Sequence, residues 1–287
     1  MDLSIIVVSY NTARLITDCL SSLQKTNDMQ KEIFIVDNCS TDGSVELIRA
    51  NFPAVTLLVN QENQGFGRAN NQALPFCHGE YLVFLNPDAT VSDETLKAAV
   101  SHMKANPHIG LAGARILNPD GSLQPSVSYK YPGEKFAARE TRGLTGKIAC
   151  VMGAFMIARK ALIDELQGFD EDFFLYGEDQ DLCWRIRQKG YSIGYIEDAV
   201  VLHQGGQSEL QTPPCQLFVK KLEAEYLFYQ KHYLPETISR IKQAVELKAR
   251  FRLATLKLLE FFTGNSEKRQ NKTECYRIAL HRAQSED

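Results

Sequence analysis

The feature that most constrains the fold is an alternation, early in the chain, of four short apolar runs with segments of helix length. The apolar runs occupy residues 4–9, 32–36, 55–59 and 81–85. The segments between them occupy residues 12–25, 43–51 and 65–77. Runs without polar interruptions favour strands that are covered on both faces, as in a parallel sheet. The alternation therefore predicts an α/β fold with a mostly parallel, Rossmann-like central sheet, flanking helices and right-handed crossovers.

The pattern loosens after residue 93 and becomes helical at the end. Further helices are predicted over residues 94–106, 160–166 and 179–189, and further strands over 109–117, 150–158 and 191–196. From Gln216 onward the sequence is rich in Lys, Arg, Leu and Phe and has helical character. We therefore predict one α/β domain over residues 1–210 and a helical C-terminal extension over residues 211–287.

Composition narrows the classes of partner. The net charge of −3 over 287 residues gives no basic field, so nucleic acid is not expected as a partner. The seven cysteines are scattered without a CxxC pair, which favours a reducing compartment over a disulfide framework or a zinc knuckle. No apolar stretch reaches the ~18 residues of a membrane-spanning helix, and the N-terminal run is too short for a signal peptide. The expected location is cytoplasmic.

Polar residues follow each of the first four predicted strands. The first strand is followed by Ser9, Tyr10 and Asn11, and the second by Asp37 and Asn38. The third is followed by Asn60 through Gly65, which include Asn63, and the fourth by Asn86, Pro87 and Asp88. Ligands of such sheets bind at the carboxyl ends of the strands, so these ends together predict a nucleotide-sized cleft. The carboxylate of Asp37 could accept a hydrogen bond from a pyrimidine N–H. Each residue taken singly could instead cap a helix or form an Asx turn, and that alternative stays open.

A metal site is predicted beside the cleft, because none of the glycine-rich phosphate-binding loops is present to neutralise a diphosphate. A divalent metal, Mg²⁺ or Mn²⁺, would supply that charge. Asp88 in FLNPD is the predicted ligand, since Pro87 ends strand pairing and directs the next side chain outward. His203 closes the run AVVLH and opens a Gly-Gly segment, where a neutral imidazole could complete the site. An ordinary Asn-Pro-Asp turn and a structural histidine are the alternatives.

A group of carboxylates opens the predicted helix over 179–189. Asp181 and Arg185 are spaced i, i+4 and are expected to pair. Glu178 and Asp181 are spaced i, i+3 and share a face, which leaves Asp179 free to face the cleft. A helix N-terminus keeps a carboxylate ionised, as a general base must be, so Asp179 is the candidate base. Simple capping of the helix is the alternative for any one of these acids.

Together these segments resemble glycosyltransferase family 2, whose members have the GT-A fold. The pattern is most similar to rhamnosyltransferase-like members that act in bacterial surface-polysaccharide and lipopolysaccharide assembly. The segments that carry the resemblance, over roughly residues 1–210, are SIIVVSYN (4–11), IVDNCSTDGS (35–44), NQGFGRANN (63–71), GEYLVFLNPD (79–88), GAFMIARKAL (153–162), GFDEDFFLYGEDQDL (168–182) and HQGGQS (203–208).

The resemblance implies a role for each matching position. Asp37 would hold the base, Asp88 would be the metal ligand of the family's DxD element, and Asp179 would be the general base of its ED element. The first DxD position is Asn86 rather than Asp, so a metal would be held by fewer protein carboxylates. The implied assignments are Ser9, Tyr10, Asn11, Asp37, Asn63, Gly65 and Asn86 for the nucleotide, Gly153, Ala154 and Glu178 for sugar or acceptor, Asp88 and His203 for the metal, and Asp179 for catalysis.

The implied activity is a single displacement that inverts the anomeric centre. The base removes the acceptor proton, the oxygen attacks the anomeric carbon, and the metal stabilises the leaving nucleoside diphosphate. The implied partners are a dTDP-sugar (with L-rhamnose the suggested sugar) or a UDP-sugar as donor, and a glycan or lipid-linked glycan as acceptor.

Two segments invite further hypotheses. Residues 129–147 are basic and lack periodicity, so as a mobile loop they could close over the donor or engage an acceptor diphosphate; a solvated surface loop is the alternative. Residues 238–262 mix basic and apolar side chains and could rest on the inner face of an anionic membrane. On a helical wheel their apolar residues do not form one clean stripe, so packing or homodimer formation is the preferred interpretation.

Two other classes of protein stay open. A metal-dependent nucleotidyltransferase could share the sheet and the metal carboxylate, but it would normally carry a glycine-rich basic loop where this chain has Tyr10 and Asn11. A non-catalytic nucleotide-sugar-binding module would not need Asp88 and Asp179 together. Activity after Asp179→Asn would separate the module from the enzyme.

Overall fold

The protein is described from a computed structural model that covers residues 1–26, 29–205, 212–264 and 266–285. The chain divides into two compact units. Unit 1 comprises Met1–Tyr131 and Gly143–Gln207, and unit 2 comprises Pro132–Arg142 and Ser208–Asp287. The middle of the basic segment over 129–147 therefore belongs to unit 2. The assignment of a catalytic domain to residues 1–210 stays a prediction.

Strands and helices alternate through unit 1 as the sequence predicts. The strands are β1 (Leu3–Ser9), β2 (Lys31–Asp37), β3 (Thr56–Val59), β4 (Tyr81–Leu85), β5 (Ala89–Thr90), β6 (Ile109–Leu117), β7 (Leu123–Gln124), β8 (Val127–Ser128), β9 (Cys150–Val151), β10 (Phe155–Arg159) and β11 (Ser192–His203). The helices are α1 (Ile16–Gln24), α2 (Ser44–Asn51), α3 (Phe66–Ala73), α4 (Asp93–Ala105), α5 (Lys160–Glu165) and α6 (Glu178–Gln188), followed in unit 2 by α7 (Pro214–His232), α8 (Pro235–Thr263) and α9 (Glu267–Gln284).

The central sheet of unit 1 is mixed, with the order β3-β2-β1-β4-β10-β6-β11-β5, and β7 pairs with β6. The neighbours β3, β2, β1 and β4 are parallel, as are β6 and β11. Strand β10 runs antiparallel to both β4 and β6. Ser9 and Asp37 are register partners at the carboxyl ends of β1 and β2. The predicted α/β class, with a mostly parallel sheet and a helical C-terminal extension, is confirmed.

Apolar layers cover both faces of the sheet, which explains the uninterrupted apolar runs. β1 is buried along its whole length, and successive side chains of a strand point to opposite faces. Ile5 and Val7 belong to a core cluster that includes residues of α1 and α4. Ile6 and Val8 belong to a second cluster, which includes residues of α3 and α6. Burial on both faces fixes the strands that carry the polar ends.

Two strand predictions are wrong in their extent. The strand predicted over 150–158 is divided into β9 and β10, because the backbone between them changes partners: Met152 N–H donates to Ser126, and Ala154 C=O accepts from Asn86. The strand predicted over 191–196 and the run AVVLH form one strand, β11. A bulge between Ile196 and Val200 absorbs the polar residues that separate the two runs in the sequence.

Unit 2 contains the helical extension that the sequence predicts, together with part of the basic segment. Residues 132–142 include a short 3₁₀ helix, Glu134–Phe136, rather than only irregular loop. The Tyr233 hydroxyl donates to Pro132 C=O at 2.7 Å, and Leu234 N–H donates to the Glu140 carboxylate at 3.1 Å. These bonds fasten the segment to the junction of α7 and α8. Within the described residues, no helix is long and apolar enough to cross a membrane.

Candidate functional site

The loops after β1 and β2 are joined to each other at the carboxyl edge of the sheet. Asn11 has a positive φ of 54°, which is uncommon outside glycine, and its backbone N–H donates to Ser40 Oγ at 2.8 Å. Its side-chain oxygen accepts from Thr41 N–H at 2.9 Å. The Ser9 hydroxyl lies 2.8 Å from Thr12 Oγ1. Tyr10 is left with its side chain half exposed beside these loops.

Asp37 is fully buried at the end of β2. One carboxylate oxygen accepts from Ser40 N–H at 2.8 Å and the other from the Ser40 hydroxyl at 2.6 Å. Asp37 therefore forms a local bond to the backbone, but with the N–H three residues on rather than the two-residue Asx turn that the sequence left open as an alternative. A direct bond from Asp37 to a nucleotide base would require the Ser40 hydroxyl to turn away, so the role of Asp37 as a base ligand stays a prediction.

Asn38, which the sequence includes among the polar strand ends without giving it a role, organises the next loop. Its amide nitrogen donates to Asn63 Oδ1 at 2.9 Å and to Gly65 C=O at 3.0 Å. Its oxygen accepts from Asn60 Nδ2 and from Gln64 N–H, each at 3.0 Å. The four bonds use the hydrogen-bonding capacity of a buried side-chain amide. Asn63 and Gly65 are thus held in place by an amide that directly follows Asp37.

Gly65 makes the closest backbone approach of this loop. It has a φ of 84°, and a Cβ atom at this position would lie 2.4 Å from the carbonyl oxygen of Phe174. The same carbonyl accepts from Phe66 N–H at 2.9 Å. Phe174 belongs to the segment that leads into α6. Glycine is therefore required here, because it lets the loop after β3 lie directly against that segment.

The NPD turn after β4 is tied to two other parts of unit 1. The backbone N–H of Asn86 donates to Ala154 C=O at 3.0 Å, and its side-chain nitrogen lies 3.4 Å from His203 Nε2. β5 pairs with β11 so that Ala89 is opposite His203. This pairing brings the turn and the end of β11 together, and Asp88 Oδ1 lies 3.1 Å from His203 Nε2. The two predicted metal ligands are therefore neighbours.

Gln124, which the sequence reasoning missed, orients the histidine. Its side-chain oxygen lies 2.7 Å from His203 Nδ1 and accepts a hydrogen bond from it, which leaves Nε2 to face Asp88. The 3.1 Å contact between Nε2 and the Asp88 carboxylate oxygen requires a proton or a cation between the two atoms. A hydrogen-bonded partner on the far nitrogen is also how proteins orient metal-binding histidines. Gln124 lies on the two-residue strand β7, and nothing in its local sequence marks it.

The donor set of Asp88 and His203 fits a divalent cation. Ligands at right angles, each about 2.1 Å from an ion, are about 3 Å apart, which matches the separation of the carboxylate oxygen and the imidazole nitrogen. Among the described residues there is no group of three or more His, Cys, Asp or Glu side chains that could hold a metal. Two protein ligands leave the remaining coordination positions to water and to a diphosphate, as is usual for Mg²⁺.

Asp179 lies at the N-terminus of α6 and contacts the loop between β9 and β10. Its carboxylate accepts from Gln180 N–H at 2.8 Å and from the backbone N–H of Gly153. Gly153 is bordered by open space, since a Cβ there would have only Met156 Cε, at 4.0 Å, within 4 Å. Ala154, in contrast, has a buried side chain. Gly153 therefore leaves room beside Asp179, and Ala154 contributes through its backbone.

Glu178 and Asp179 form a carboxylate pair in a poorly solvated environment. Burial raises the pKa of Asp179, while hydrogen bonds from the backbone N–H groups of Gln180, Asp179 itself and Gly153 act in the opposite direction. Burial and the neighbouring Asp179 carboxylate raise the pKa of Glu178. Glu178 is buried, and its Oε2 atom has no hydrogen-bond partner among the residues that the structure describes. The two acids therefore differ in protonation. Glu178 favours its neutral form, whereas Asp179 is a carboxylate that accepts hydrogen bonds from backbone N–H groups.

Asp181 is structural, as its spacing predicts. It is fully buried and pairs with Arg185 Nε at 2.7 Å. Arg185 also donates to the carbonyl oxygens of Leu166 and Gly168 at 3.1 and 2.9 Å. This pairing anchors the start of α6 to the preceding segment and leaves the first two acids of the helix available for other roles.

One chain of contacts therefore links the predicted metal ligands to the predicted base. Asp88 contacts His203, His203 contacts Asn86, Asn86 contacts Ala154, and the adjacent Gly153 contacts Asp179. The family model for Glycosyl transferase family 2 matches residues 4–167, more than half of the chain. The chain belongs to this family. The matched region contains Asp88, whereas Asp179 and His203 of this family 2 glycosyltransferase lie beyond it.

Two similar proteins with curated functions are bacterial. The chain is 25% identical to the N-acetylglucosaminyl-diphospho-decaprenol L-rhamnosyltransferase of Mycobacterium tuberculosis, with 75% of this chain and 80% of that protein covered. It is 26% identical to the poly-beta-1,6-N-acetyl-D-glucosamine synthase of Staphylococcus aureus, with 67% of this chain but only 47% of that protein covered.

Solved structures with a similar fold include a mannosyltransferase and the protein TarS. The mannosyltransferase PcManGT from Pyrobaculum calidifontis, in complex with GDP-Man and Mn²⁺, gives a TM-score of 0.57 at 22% identity and covers 97% of this chain and 85% of its own. TarS 1–349 of Staphylococcus aureus, in complex with UDP, gives 0.54 at 20% identity and covers 98% and 90%. At these identities the likeness shows the fold alone, and the predicted GT-A fold is confirmed.

Proposed function

We propose that this family 2 glycosyltransferase is an inverting, metal-dependent hexosyltransferase. The observation that carries the proposal is the chain of contacts from Asp88 through His203, Asn86 and the Gly153-Ala154 backbone to Asp179. This chain of contacts joins the Asp88–His203 pair, to which we assign a cation, with a carboxylate that accepts from backbone N–H groups. A nucleotidyltransferase would instead carry a glycine-rich basic loop after β1, where this chain has Tyr10 and Asn11.

The roles follow from what each side chain can do. Asp179 accepts the proton of the acceptor hydroxyl, and the open space at Gly153 admits the sugar beside it. Glu178, which favours its neutral form, adds no second negative charge next to the base. A divalent cation bound at Asp88 and His203 supplies charge neutralisation for the departing diphosphate. A single base without a covalent nucleophile gives inversion at the anomeric carbon.

The donor site of the proposal lies over the loops after β1, β2 and β3. The exposed ring of Tyr10 is placed to stack on a base, beside Ser9 and Asn11. Asp37 shapes the same loop, and its carboxylate reaches a base N–H when Ser40 rotates. The loop held by Asn38, with Asn63 and Gly65, borders this region. We propose a dTDP-sugar or UDP-sugar as donor, and L-rhamnose as the first sugar to test because of the rhamnosyltransferase relative.

The proposed acceptor is a glycan or lipid-linked glycan of bacterial surface-polysaccharide assembly. The names of the two curated relatives support this, since one refers to a decaprenol diphosphate and the other to a polysaccharide. A cytoplasmic location, peripheral membrane contact through the C-terminal helices and homodimer formation complete the proposal.

Thermal stabilisation by a panel of nucleotide sugars, each with Mn²⁺, Mg²⁺ or EDTA, tests the donor and metal together. A ligand that binds the folded state raises the melting temperature, so the correct donor should give a shift that requires the metal. Asp88→Asn and His203→Ala should abolish the dependence on metal, whereas Asp179→Asn should keep it. Equal shifts in metal and in EDTA would contradict the metal assignment.

Product analysis tests the mechanism. With the donor identified, NMR of the glycoside formed should show the anomeric configuration opposite to that of the donor. Retention of configuration would refute the single displacement. An Asp179→Asn variant that binds donor but has no transferase activity would support the enzyme over a non-catalytic binding module. Full activity in the same variant would show that Asp179 is not the base.

A further inference from the structure

The second half of α8 presents an exposed apolar stripe. Leu247, Phe251, Leu258 and Phe261 are separated by four, seven and three residues, which places them on one side of a helix. Their side chains are 70%, 66%, 60% and 83% exposed. Residues 238–262 as a whole show no clean stripe in the sequence, but from Leu247 onward the structure contains one. Large side chains exposed together on one face commonly mark an interaction surface.

Basic side chains border the stripe on both sides. Lys248 and Arg252 lie along one border, and Arg250 and Lys257 lie along the other; all four residues are exposed. Arg250 is paired with Glu246 at 2.8 Å, so the cationic character is stronger on the border of Lys248 and Arg252.

A basic cavity lies along that stronger border. Its volume is about 810 Å³, and it is lined by residues of α7, α8 and α9 within unit 2. Lys248 and Arg252 contribute from α8, and Lys268 and Lys272 contribute from α9, while Glu267 is the one acid among the described lining residues. The four cations of the cavity could bind the phosphate headgroup of a lipid. The tails of the same lipid would then lie next to the apolar stripe.

We propose that this face of α8 docks on an anionic membrane surface, with the apolar stripe in the interface and the cavity cations on lipid phosphates. A helix with an apolar face and basic flanks lies in the plane of the membrane rather than across it. Anionic lipid complements both basic borders. A second copy of the chain would bring basic borders against each other, so self-association through this face is disfavoured. The membrane proposal rests on the proposed function, because a lipid-linked acceptor would require the enzyme to work at a membrane.

Flotation of the full chain with vesicles tests the docking. The protein is mixed with vesicles of phosphatidylcholine alone, or of phosphatidylcholine with phosphatidylglycerol, at low and high salt. We expect binding to the anionic vesicles, weakened by salt because charge attraction is screened. The double variant Phe251→Gln and Phe261→Gln should reduce the partition coefficient about a hundredfold, since two large apolar side chains are removed from the interface. Gln preserves helix propensity, and circular dichroism checks that the helix remains.

Matched controls separate this surface from general stickiness. Phe76→Gln removes an exposed phenylalanine of unit 1 and should leave vesicle binding unchanged. Lys248→Gln with Arg252→Gln should reduce binding to anionic vesicles about tenfold, whereas Lys104→Gln on the exposed surface of α4 should have no effect.

Several results would overturn the proposal. These are the absence of binding to anionic vesicles, binding that Phe251→Gln and Phe261→Gln leave intact, or a dimer in analytical ultracentrifugation that the same variant dissociates. The donor-dependent thermal shift is measured on the same samples. A protein that responds to donor but not to vesicles would refute the membrane surface and leave the proposed function standing, and the reverse pattern would refute the function alone.

Discussion

Replacing Gly65 by alanine should destabilise unit 1 far more than a matched glycine substitution elsewhere in the unit. Gly65 has a φ of 84° and a ψ of 174°, a region that only glycine adopts readily. The new Cβ would lie 2.4 Å from the Phe174 carbonyl oxygen, and real Cβ atoms essentially never approach a heavy atom within 3.0 Å. The loop must therefore move, and the Phe66–Phe174 hydrogen bond of 2.9 Å would be lost.

The magnitude follows from these terms. The backbone conformation costs a non-glycine residue about 1–3 kcal/mol. Loss of the hydrogen bond adds about 1 kcal/mol, and displaced packing adds about 1–3 kcal/mol. Together these contributions predict that Gly65→Ala lowers the free energy of unfolding by about 3–7 kcal/mol. Gly43→Ala is the control, since Gly43 has a φ of 85° but nothing within 4 Å of a Cβ, and it should cost only about 1–2 kcal/mol.

The single tryptophan, Trp184, provides the assay. It is buried in α6 of unit 1, so its fluorescence follows the unfolding of that unit even when the two units unfold separately. Urea titrations of both variants should show unchanged slopes and a markedly lower midpoint for Gly65→Ala alone. If Gly65→Ala shifts the midpoint no further than Gly43→Ala does, the close approach to Phe174 is not a rigid constraint and the reasoning fails.

Four further predictions concern the site. Asp179→Asn should lower kcat about 10²- to 10⁴-fold without changing donor Kd, because general-base catalysis contributes in that range; steady-state kinetics and calorimetry measure the two. Activity of the unaltered protein should fall as pH falls through a pKa above that of ordinary aspartate, because burial raises the pKa of Asp179 and only its carboxylate accepts a proton; a pH–rate profile measures this. Glu178→Gln should stabilise the fold more at about pH 8 than at about pH 5, since the raised pKa of Glu178 makes the folded state lose stability as pH rises; urea midpoints at both pH values measure this. Gln124→Ala should weaken Mn²⁺ binding about 10- to 100-fold by releasing His203, as measured by titration calorimetry.

Each of these predictions has a contradicting outcome. Full kcat in Asp179→Asn would exclude it as the base, and an acid limb at the pKa of ordinary aspartate would show that burial does not control its titration. A gain in stability from Glu178→Gln that is the same at both pH values would locate its effect in packing rather than charge. Mn²⁺ affinity that survives in Gln124→Ala but is lost in His203→Ala would show that the imidazole needs no orienting partner.

The parallel half of the sheet was predictable because its strands are buried on both faces. β1 is apolar along its length for that reason, and its helix-length neighbours follow from the crossover geometry. The antiparallel direction of β10 was not predictable, because the sequence from Cys150 to Ala158 has the pattern of a single strand. The break at residues 152–154 depends on Asn86, whose backbone bond to Ala154 cannot be anticipated from either segment alone.

The candidate site was predictable where a residue lies at or just beyond the end of an apolar run. His203 directly follows such a run and Asp88 lies three residues beyond Leu85, and the structure places the two side chains 3.1 Å apart. Gln124 was missed because its function depends on a partner 79 residues away and its own strand is only two residues long. Asn38 carried a usable signal, since a polar residue next to Asp37 at a buried strand end must find partners for its amide. Asp37 shows that a residue at such a position can also be occupied locally, because its carboxylate accepts from the backbone and side chain of Ser40.

The pairing of β5 with β11 makes the candidate metal pair a late product of folding. Asn86 and His203 are 117 residues apart in the sequence, and they meet only when the end of β11 docks beside Ala89. Contacts between such distant residues form slowly, because the intervening chain must first be ordered. During synthesis, at about 5–20 residues per second, Asp88 is made about 6–23 seconds before His203. Until then the nascent chain holds the carboxylate without its histidine, so cation binding would report that unit 1 has been completed.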